Sequence, residues 1–191
     1  MKKPMPIAAI LLAVATLPFA GCFASYGFAA GPTVDTRGEM GMQFSARCSF
    51  GVALSDESAL AETVRADLTP PGLSTPAVSP TVGLDYVHEL EDDDLAIRAG
   101  IRARFQLAWE DPFRAWIGVG LSLGILPTLD ISGNDSDEYT HVGVELEGYW
   151  LEDSTTEVPE GQDPEQIGLF GVSLVYEEIV LDDDPLEDSW D

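Results

Sequence analysis

The sequence predicts an all-β protein: an antiparallel up-and-down meander of six to eight strands that closes into a barrel, with one short helix after the first strand. Two observations carry this prediction. Apolar and polar residues alternate with a period of two along six stretches of the chain, which is typical of strands with one apolar face. The joints between the later stretches are acidic or contain proline, as is usual for turns between antiparallel neighbours.

The N-terminus has the pattern of an export signal. Two lysines precede an apolar run from Ile7 to Ala20, and Gly21 comes directly before Cys22. A basic start, a short apolar run and a small-residue cleavage site are the three parts of a secretory signal peptide. A membrane-spanning helix would need about 20 apolar residues. We therefore predict a signal peptide at residues 1–21 and an exported protein.

The cleavage site itself, Phe19-Ala20-Gly21-Cys22, resembles the lipobox of bacterial lipoproteins. In that family the cysteine becomes the first mature residue and is acylated, so the resemblance implies lipidation at Cys22. One alternative is an ordinary cleavage nearby, such as after Ala24. Another is a disulfide bond between Cys22 and Cys48, because an exported chain enters an oxidising compartment.

The charges of the exported chain are unusual. After residue 21 the chain has seven arginines, no lysine and 34 acidic residues, which gives a net charge of −27. Such a charge repels phosphate groups, so we expect no nucleic-acid partner. Arginine is preferred where a cation is held in fixed pairs, and the absence of lysine indicates that the cations do not lie on a wet surface. We predict an anchor linker at residues 22–31, a barrel domain at residues 32–181 and an acidic tail at residues 182–191.

The alternating stretches follow one another along the barrel domain. They are Val34–Leu54, Thr81–Leu90, Leu95–Trp109, Phe113–Ile125, His141–Leu151 and Ile167–Tyr176. Eight strands result if the first stretch is split or if residues 73–80 contain a short strand.

The short helix is predicted between the first two stretches. Ser55-Asp56-Glu57 has the pattern of an N-cap followed by acidic residues. Four apolar residues then share one helical face, and Pro70-Pro71-Gly72 would end the helix. The four residues are Leu60, Ala61, Val64 and Leu68.

The polar face of the strands decides which side of the barrel is inside. It holds many glycines and serines, which fit the crowded interior of a narrow barrel and weaken an exposed strand. It also holds equal numbers of opposite charges: Arg37, Arg47, Arg98, Arg102, Arg104 and Arg114 with Asp35, Glu39, Asp85, Glu89, Glu145 and Glu147. Because buried charges must be paired, this balance predicts a charge network that faces the lumen. The alternative is a solvent-exposed face whose positive and negative charges happen to be equal in number.

With the apolar face outward, residues 32–181 resemble the small, roughly eight-stranded outer-membrane β-barrels of bacteria in pattern and length. The resemblance implies a cell-envelope protein in or on the outer membrane, with membrane lipid as a partner and a structural or minor permeability role. The opposite orientation gives the alternative, a lipid-anchored soluble barrel that is similar to lipocalins. It would bind a small apolar ligand against Met40, Met42 and Phe44.

The sequence contains no motif of a known catalytic site, so we expect no enzymatic activity and no cofactor. Two histidines and two cysteines are too few for a zinc module. A cluster of loop carboxylates is a candidate for Ca²⁺, a hard cation that binds oxygen, although acidic runs in loops are usually only solvated. The cluster consists of Asp130, Asp135, Asp137 and Glu138.

Overall fold

The structure is a computed structural model, and it describes residues 23–55, 57–70, 75–90, 95–109, 112–129, 138–155 and 163–181. These residues form a closed barrel of eight antiparallel strands, in which each strand pairs with its chain neighbours and the last pairs with the first. The strands are β1 (Phe23–Asp35), β2 (Met40–Ser55), β3 (Ser58–Thr69), β4 (Ala77–Glu89), β5 (Leu95–Ala108), β6 (Arg114–Leu129), β7 (Glu138–Asp153) and β8 (Gln166–Leu181). The predicted all-β meander and its closure into a barrel are confirmed.

The first alternating stretch, Val34–Leu54, covers the last two residues of β1 and nearly all of β2. β1 ends at Asp35 and β2 begins at Met40. Between them Gly38 has a φ of 86°, a conformation that favours glycine, and the Asp35 carboxylate accepts hydrogen bonds from the backbone N–H groups of Arg37 and Glu39, both at 2.9 Å. Paired residues of the two strands, such as Val34 and Met40, lie an even number of positions apart. The outward residues therefore stay at even positions through the turn, which conceals the break.

The predicted short helix is wrong, because its residues form strand β3. Leu60, Val64 and Leu68 are four residues apart, a spacing that places them on one face of a strand as well as of a helix. Only Ala61 distinguishes a helix from a strand. It would share the face of Leu60 in a helix but lies on the opposite face of a strand, and it is buried inside the barrel. Residues 23–31, which we assigned to a linker, belong to β1 and pair with both β2 and β8.

The strand register fixes the shape of the barrel. A path from Ala24 that follows paired residues from strand to strand returns to β1 at Val34, ten positions further along. With strands ~4.8 Å apart and a rise of ~3.3 Å per residue, this shift gives a tilt of ~40° and a backbone radius of ~8 Å. An interior of that width is filled by side chains.

The two faces of the wall differ sharply. Large apolar side chains point outward, and Ile101 and Leu174 are 66% and 69% exposed. Arginines and carboxylates point inward and are buried. The apolar face is therefore outside, as the content of the polar face predicts. We call the end where β1 begins and β8 ends the terminal end, and the opposite end the loop end.

No helix in the described part of the chain is long and apolar enough to cross a membrane.

Candidate functional site

Glu145, on β7, is the centre of the charge network inside the barrel. Its buried carboxylate accepts hydrogen bonds from both Nη atoms of Arg47 at 3.2 and 3.4 Å and from both Nη atoms of Arg102 at 2.8 and 3.1 Å. Arg65 donates a further bond at 3.2 Å. Arg102 also pairs with Asp85 at 3.2 Å. Hydrogen bonds between charged groups are stronger than neutral ones, so this carboxylate ties three strands to β7.

Arg65 and Arg104 form the next layer toward the loop end. Arg65 pairs with Glu147 through both Nη atoms, one of them at 2.5 Å, and with Asp67 at 2.7 Å. It also donates to the Tyr149 hydroxyl at 3.0 Å. Arg104 pairs with Asp67 at 2.8 Å and lies 5.1 Å from the centre of the Tyr149 ring, within the range of a cation–π contact.

A smaller cluster lies toward the terminal end. Arg98 pairs with Glu177 at 2.6 Å, and the Ser25 hydroxyl donates to the same carboxylate at 2.5 Å. His141 is buried beside them on β7. The ion pair joins β5 to β8 across the lumen.

The charges in these three layers cancel. Their side chains, at most 3% exposed, are Arg47, Arg65, Arg98, Arg102 and Arg104 with Asp67, Asp85, Glu145, Glu147 and Glu177. Pairing offsets the several kcal/mol that each isolated buried charge would cost. Because these side chains are almost completely buried, they fill and close the barrel at this level.

Trp116 covers the network at the loop end. Its side chain is fully buried, and the guanidinium carbons of Arg37 and Arg114 lie 5.7 and 5.6 Å from its ring. Arg37 pairs with Asp35 at 2.8 Å, and Arg114 lies 3.6 Å from Asp153. This layer forms the rim of the barrel.

The structure places the residues predicted for the lumen in two groups. Those buried inside the wall are Arg47, Arg98, Arg102, Arg104, Asp35, Asp85, Glu145 and Glu147. Arg37, Glu39 and Arg114 lie at the loop-end rim and are partly exposed, and Glu89 is half-buried at the end of β4.

Sequence reasoning missed three members of the network. Arg65 and Asp67 lie in the segment interpreted as a helix, and Glu177 comes directly after the last predicted stretch. Their signal is the strand parity, since Thr63, Arg65 and Asp67 all point inward.

Aromatic side chains lie on the outward surface near both ends of the barrel: tyrosines near the terminal end, and tryptophan and phenylalanine near the loop end. With a tilt of ~40°, each residue adds ~2.5 Å and each strand step ~3 Å along the barrel axis. Tyr26, Tyr86 and Tyr176 then lie within ~3 Å of one height near the terminal end; we call them the tyrosine girdle. Trp150 lies ~19 Å further along the axis, and Trp109 and Phe113 are in edge-to-face contact at the loop end.

Every outward residue of the strands between the tyrosine girdle and Trp150 is apolar, a surface that we call the apolar band. Its large exposed members include Phe28, Phe44, Val64, Leu68, Leu84, Ile101, Val119, Leu121, Leu123, Val144, Leu146, Phe170, Val172 and Leu174.

The lipocalin-like alternative is wrong in its orientation. Met40, Met42 and Phe44 point outward and are 61%, 37% and 48% exposed. The interior at the loop end, level with Met40 and Met42, is filled by a packed cluster that includes Trp116, Leu151 and Ile167. Cys48 is a half-buried free thiol on the outward face of β2.

No group of three or more potential metal ligands occurs among the described residues. Of the candidate calcium residues, Asp130, Asp135 and Asp137 lie outside the described part of the chain, as does Cys22, and Glu138 begins β7.

No protein-family model and no curated protein matches this chain. Among solved structures, the barrel is similar to Neisserial surface protein A (NspA), with a TM-score of 0.56 and 16% identity over 85% of this chain and 98% of NspA. Ail, the attachment invasion locus protein of Yersinia pestis, has a TM-score of 0.43 and 9% identity over 82% of this chain and 99% of Ail. The outer membrane protease OmpT from Escherichia coli has a TM-score of 0.35 and 6% identity over 88% of this chain and all of OmpT. The chain shares the fold of NspA, and at this identity the likeness concerns the fold alone.

Proposed function

We propose that the protein is a bacterial outer-membrane β-barrel that spans the bilayer in a structural, non-enzymatic role. The observation that carries the proposal is the apolar band, which surrounds an interior of paired charges and is bordered by aromatic residues at both ends. Membrane barrels have an outward apolar surface of ~25 Å with aromatic girdles at the two interfaces. A water-soluble protein rarely exposes an apolar patch above a few hundred Å², whereas here such side chains encircle the wall.

The interior favours a structural role over a permeability role. The β7 carboxylates Glu145 and Glu147 hold arginines from β2, β3 and β5 across the lumen. A solute that crossed the barrel would have to break these buried pairs, and each would then leave an uncompensated charge. We therefore infer that the barrel is a rigid membrane scaffold and not a conduit.

The start of β1 supports lipidation at Cys22. Cleavage before Cys22 leaves all of β1 intact. Cleavage after Ala24 would remove Phe23 and Ala24, which pair with β2 on one side and β8 on the other. We propose that the acylated cysteine leads directly into the barrel wall and places its acyl chains in the leaflet at the terminal end.

A gel-shift experiment tests the membrane barrel. The exported protein in detergent should migrate differently before and after boiling, because a closed membrane barrel keeps its fold in the unboiled sample. The Cys22→Ser variant, which lacks the anchor, should still need detergent to stay in solution. A variant that remains soluble without detergent would contradict the proposal.

Fatty-acid labelling tests the anchor separately. Labelled palmitate should be incorporated into the wild-type protein and lost in Cys22→Ser. Cys48→Ser is the matched control, because Cys48 lies on β2 and should not affect labelling. Label retained in Cys22→Ser would rule out this anchor while leaving the membrane barrel unaffected.

A further inference from the structure

In the described part of the chain, the outward surface of the barrel wall carries neither arginine nor lysine. Of the seven arginines after Cys22, five lie inside the wall, and Arg37 and Arg114 lie at the loop-end rim in ion pairs with carboxylates. The chain has no lysine after Lys3. Among the described residues, the terminal-end interface therefore has no arginine or lysine that could contact a lipid phosphate.

The same interface carries carboxylates. Glu62 on β3 and Glu178 on β8 point outward, and both lie within ~5 Å of the height of the tyrosine girdle. Glu178 accepts hydrogen bonds from the hydroxyls of Tyr26 and Tyr176. Glu62 is half-buried and is paired in the sheet with Phe50 and Leu84. A carboxylate next to apolar surface is costly unless a donor or cation accompanies it.

Resting on the membrane-spanning role proposed above, we propose that the tyrosine girdle binds phospholipids whose headgroup carries a primary ammonium group. The ammonium donates hydrogen bonds to Glu62 and Glu178, and the girdle disfavours anionic headgroups. Charge complementarity supports this choice of partner, because the described residues of the interface offer the carboxylates of Glu62 and Glu178 and no arginine or lysine. Exposed carboxylates such as Glu57 in the β2–β3 turn add repulsion over a screening length of ~8 Å at physiological salt.

Spin-labelled lipids measure this preference directly. The protein is folded into phosphatidylcholine vesicles that contain a trace of labelled phosphatidylethanolamine or labelled phosphatidylglycerol, and the motionally restricted fraction of each label gives its relative association constant. Charged contacts at a membrane surface are modest, and the measured value is an average over all lipids around the barrel. We therefore expect a preference of ~3-fold for phosphatidylethanolamine at low salt. The preference should shrink in high salt as the charges are screened.

The double variant Glu62→Gln/Glu178→Gln should bring the association constants of the two lipids to about the same value. Its matched control is Glu152→Gln/Asp163→Asn, which removes the same number of negative charges at exposed loop-end positions away from the tyrosine girdle and should keep the wild-type preference. Should the first variant fail to refold, Glu62→Gln alone makes the same comparison with a smaller expected effect.

Three outcomes overturn the proposal. The wild-type protein could bind phosphatidylglycerol as well as phosphatidylethanolamine, or the control could lose the preference as fully as the girdle variant. Finally, both spin-labelled lipids could lack a motionally restricted fraction. That third outcome would overturn the membrane barrel as well, whereas the first two outcomes would contradict only the lipid preference.

Discussion

Glu145→Gln is the sharpest test of the interior network. The substitution removes the charge that faces Arg47, Arg65 and Arg102 while nearly preserving the side-chain volume. Arg102 keeps Asp85, and Arg65 keeps Glu147 and Asp67. Arg47 has no other carboxylate within ion-pair distance among the described residues, so the substitution leaves one buried guanidinium uncompensated.

The magnitude follows from that single charge. Removing one partner of a buried ion pair costs about 3–5 kcal/mol, which we expect as the loss in the free energy of unfolding. The measurement is a reversible urea titration of the vesicle-inserted barrel, followed by tryptophan fluorescence. Outward Glu152→Gln, which leaves every interior pair in place, should change the stability by less than ~0.5 kcal/mol.

A second substitution isolates the cause. Arg47→Met in the Glu145→Gln background removes the uncompensated charge, and we expect it to restore at least ~2 kcal/mol. A cost of Glu145→Gln below ~1 kcal/mol, or a double variant no more stable than the single one, would refute the claim that pairing of these buried charges stabilises the barrel.

The other predictions concern packing, exposure and conduction. A Cβ atom at Gly100 would lie 1.8 Å from Asp85 Oδ1, whereas one at Gly124 would meet nothing closer than 3.6 Å; Gly100→Ala should therefore lower the free energy of unfolding by about 1–3 kcal/mol, and Gly124→Ala by much less in the same urea titration. Cys48 should resist a water-soluble maleimide in vesicles but react in denaturant, while a cysteine at Glu57 in a Cys48→Ser background should react in both; rapid labelling of Cys48 in vesicles would place it outside the lipid. Planar bilayers that contain the protein should show no stable open-channel conductance, and steps of constant size would contradict the closed interior.

The sequence predicts the faces of the wall better than its strands. Period-two alternation is local, so the outward and inward sides of β2, β5, β6 and β7 follow from it directly. Alternation alone does not identify β3 as a strand, because Leu60, Val64 and Leu68 satisfy both the helical and the strand period. Alternation does not reveal most of β1 either. Its inward side holds small residues such as Gly27 and Ala29, so the polar half of the pattern is missing there.

The ion pairs themselves lie beyond what alternation can predict. Arg65 and Glu147 are 82 positions apart in the chain, and Arg98 is joined to Glu177 across the lumen. Which charges meet depends on strand order and on the shift of register around the barrel, and both are set by pairing between strands. A balanced inward face predicts that partners exist but does not identify them.

The cross-lumen pairs have a consequence for assembly. β3 and β7, which Arg65 and Glu147 connect, lie diametrically opposite each other in a ring of eight strands. Arg47 and Arg65 belong to the first half of the chain, and their partners Glu145 and Glu147 belong to the second half. A partly assembled sheet that entered lipid would therefore carry unneutralised cations on one hairpin and unneutralised anions on another. For the membrane barrel proposed above, we therefore expect entry into the bilayer and the closure of β8 onto β1 to be concerted.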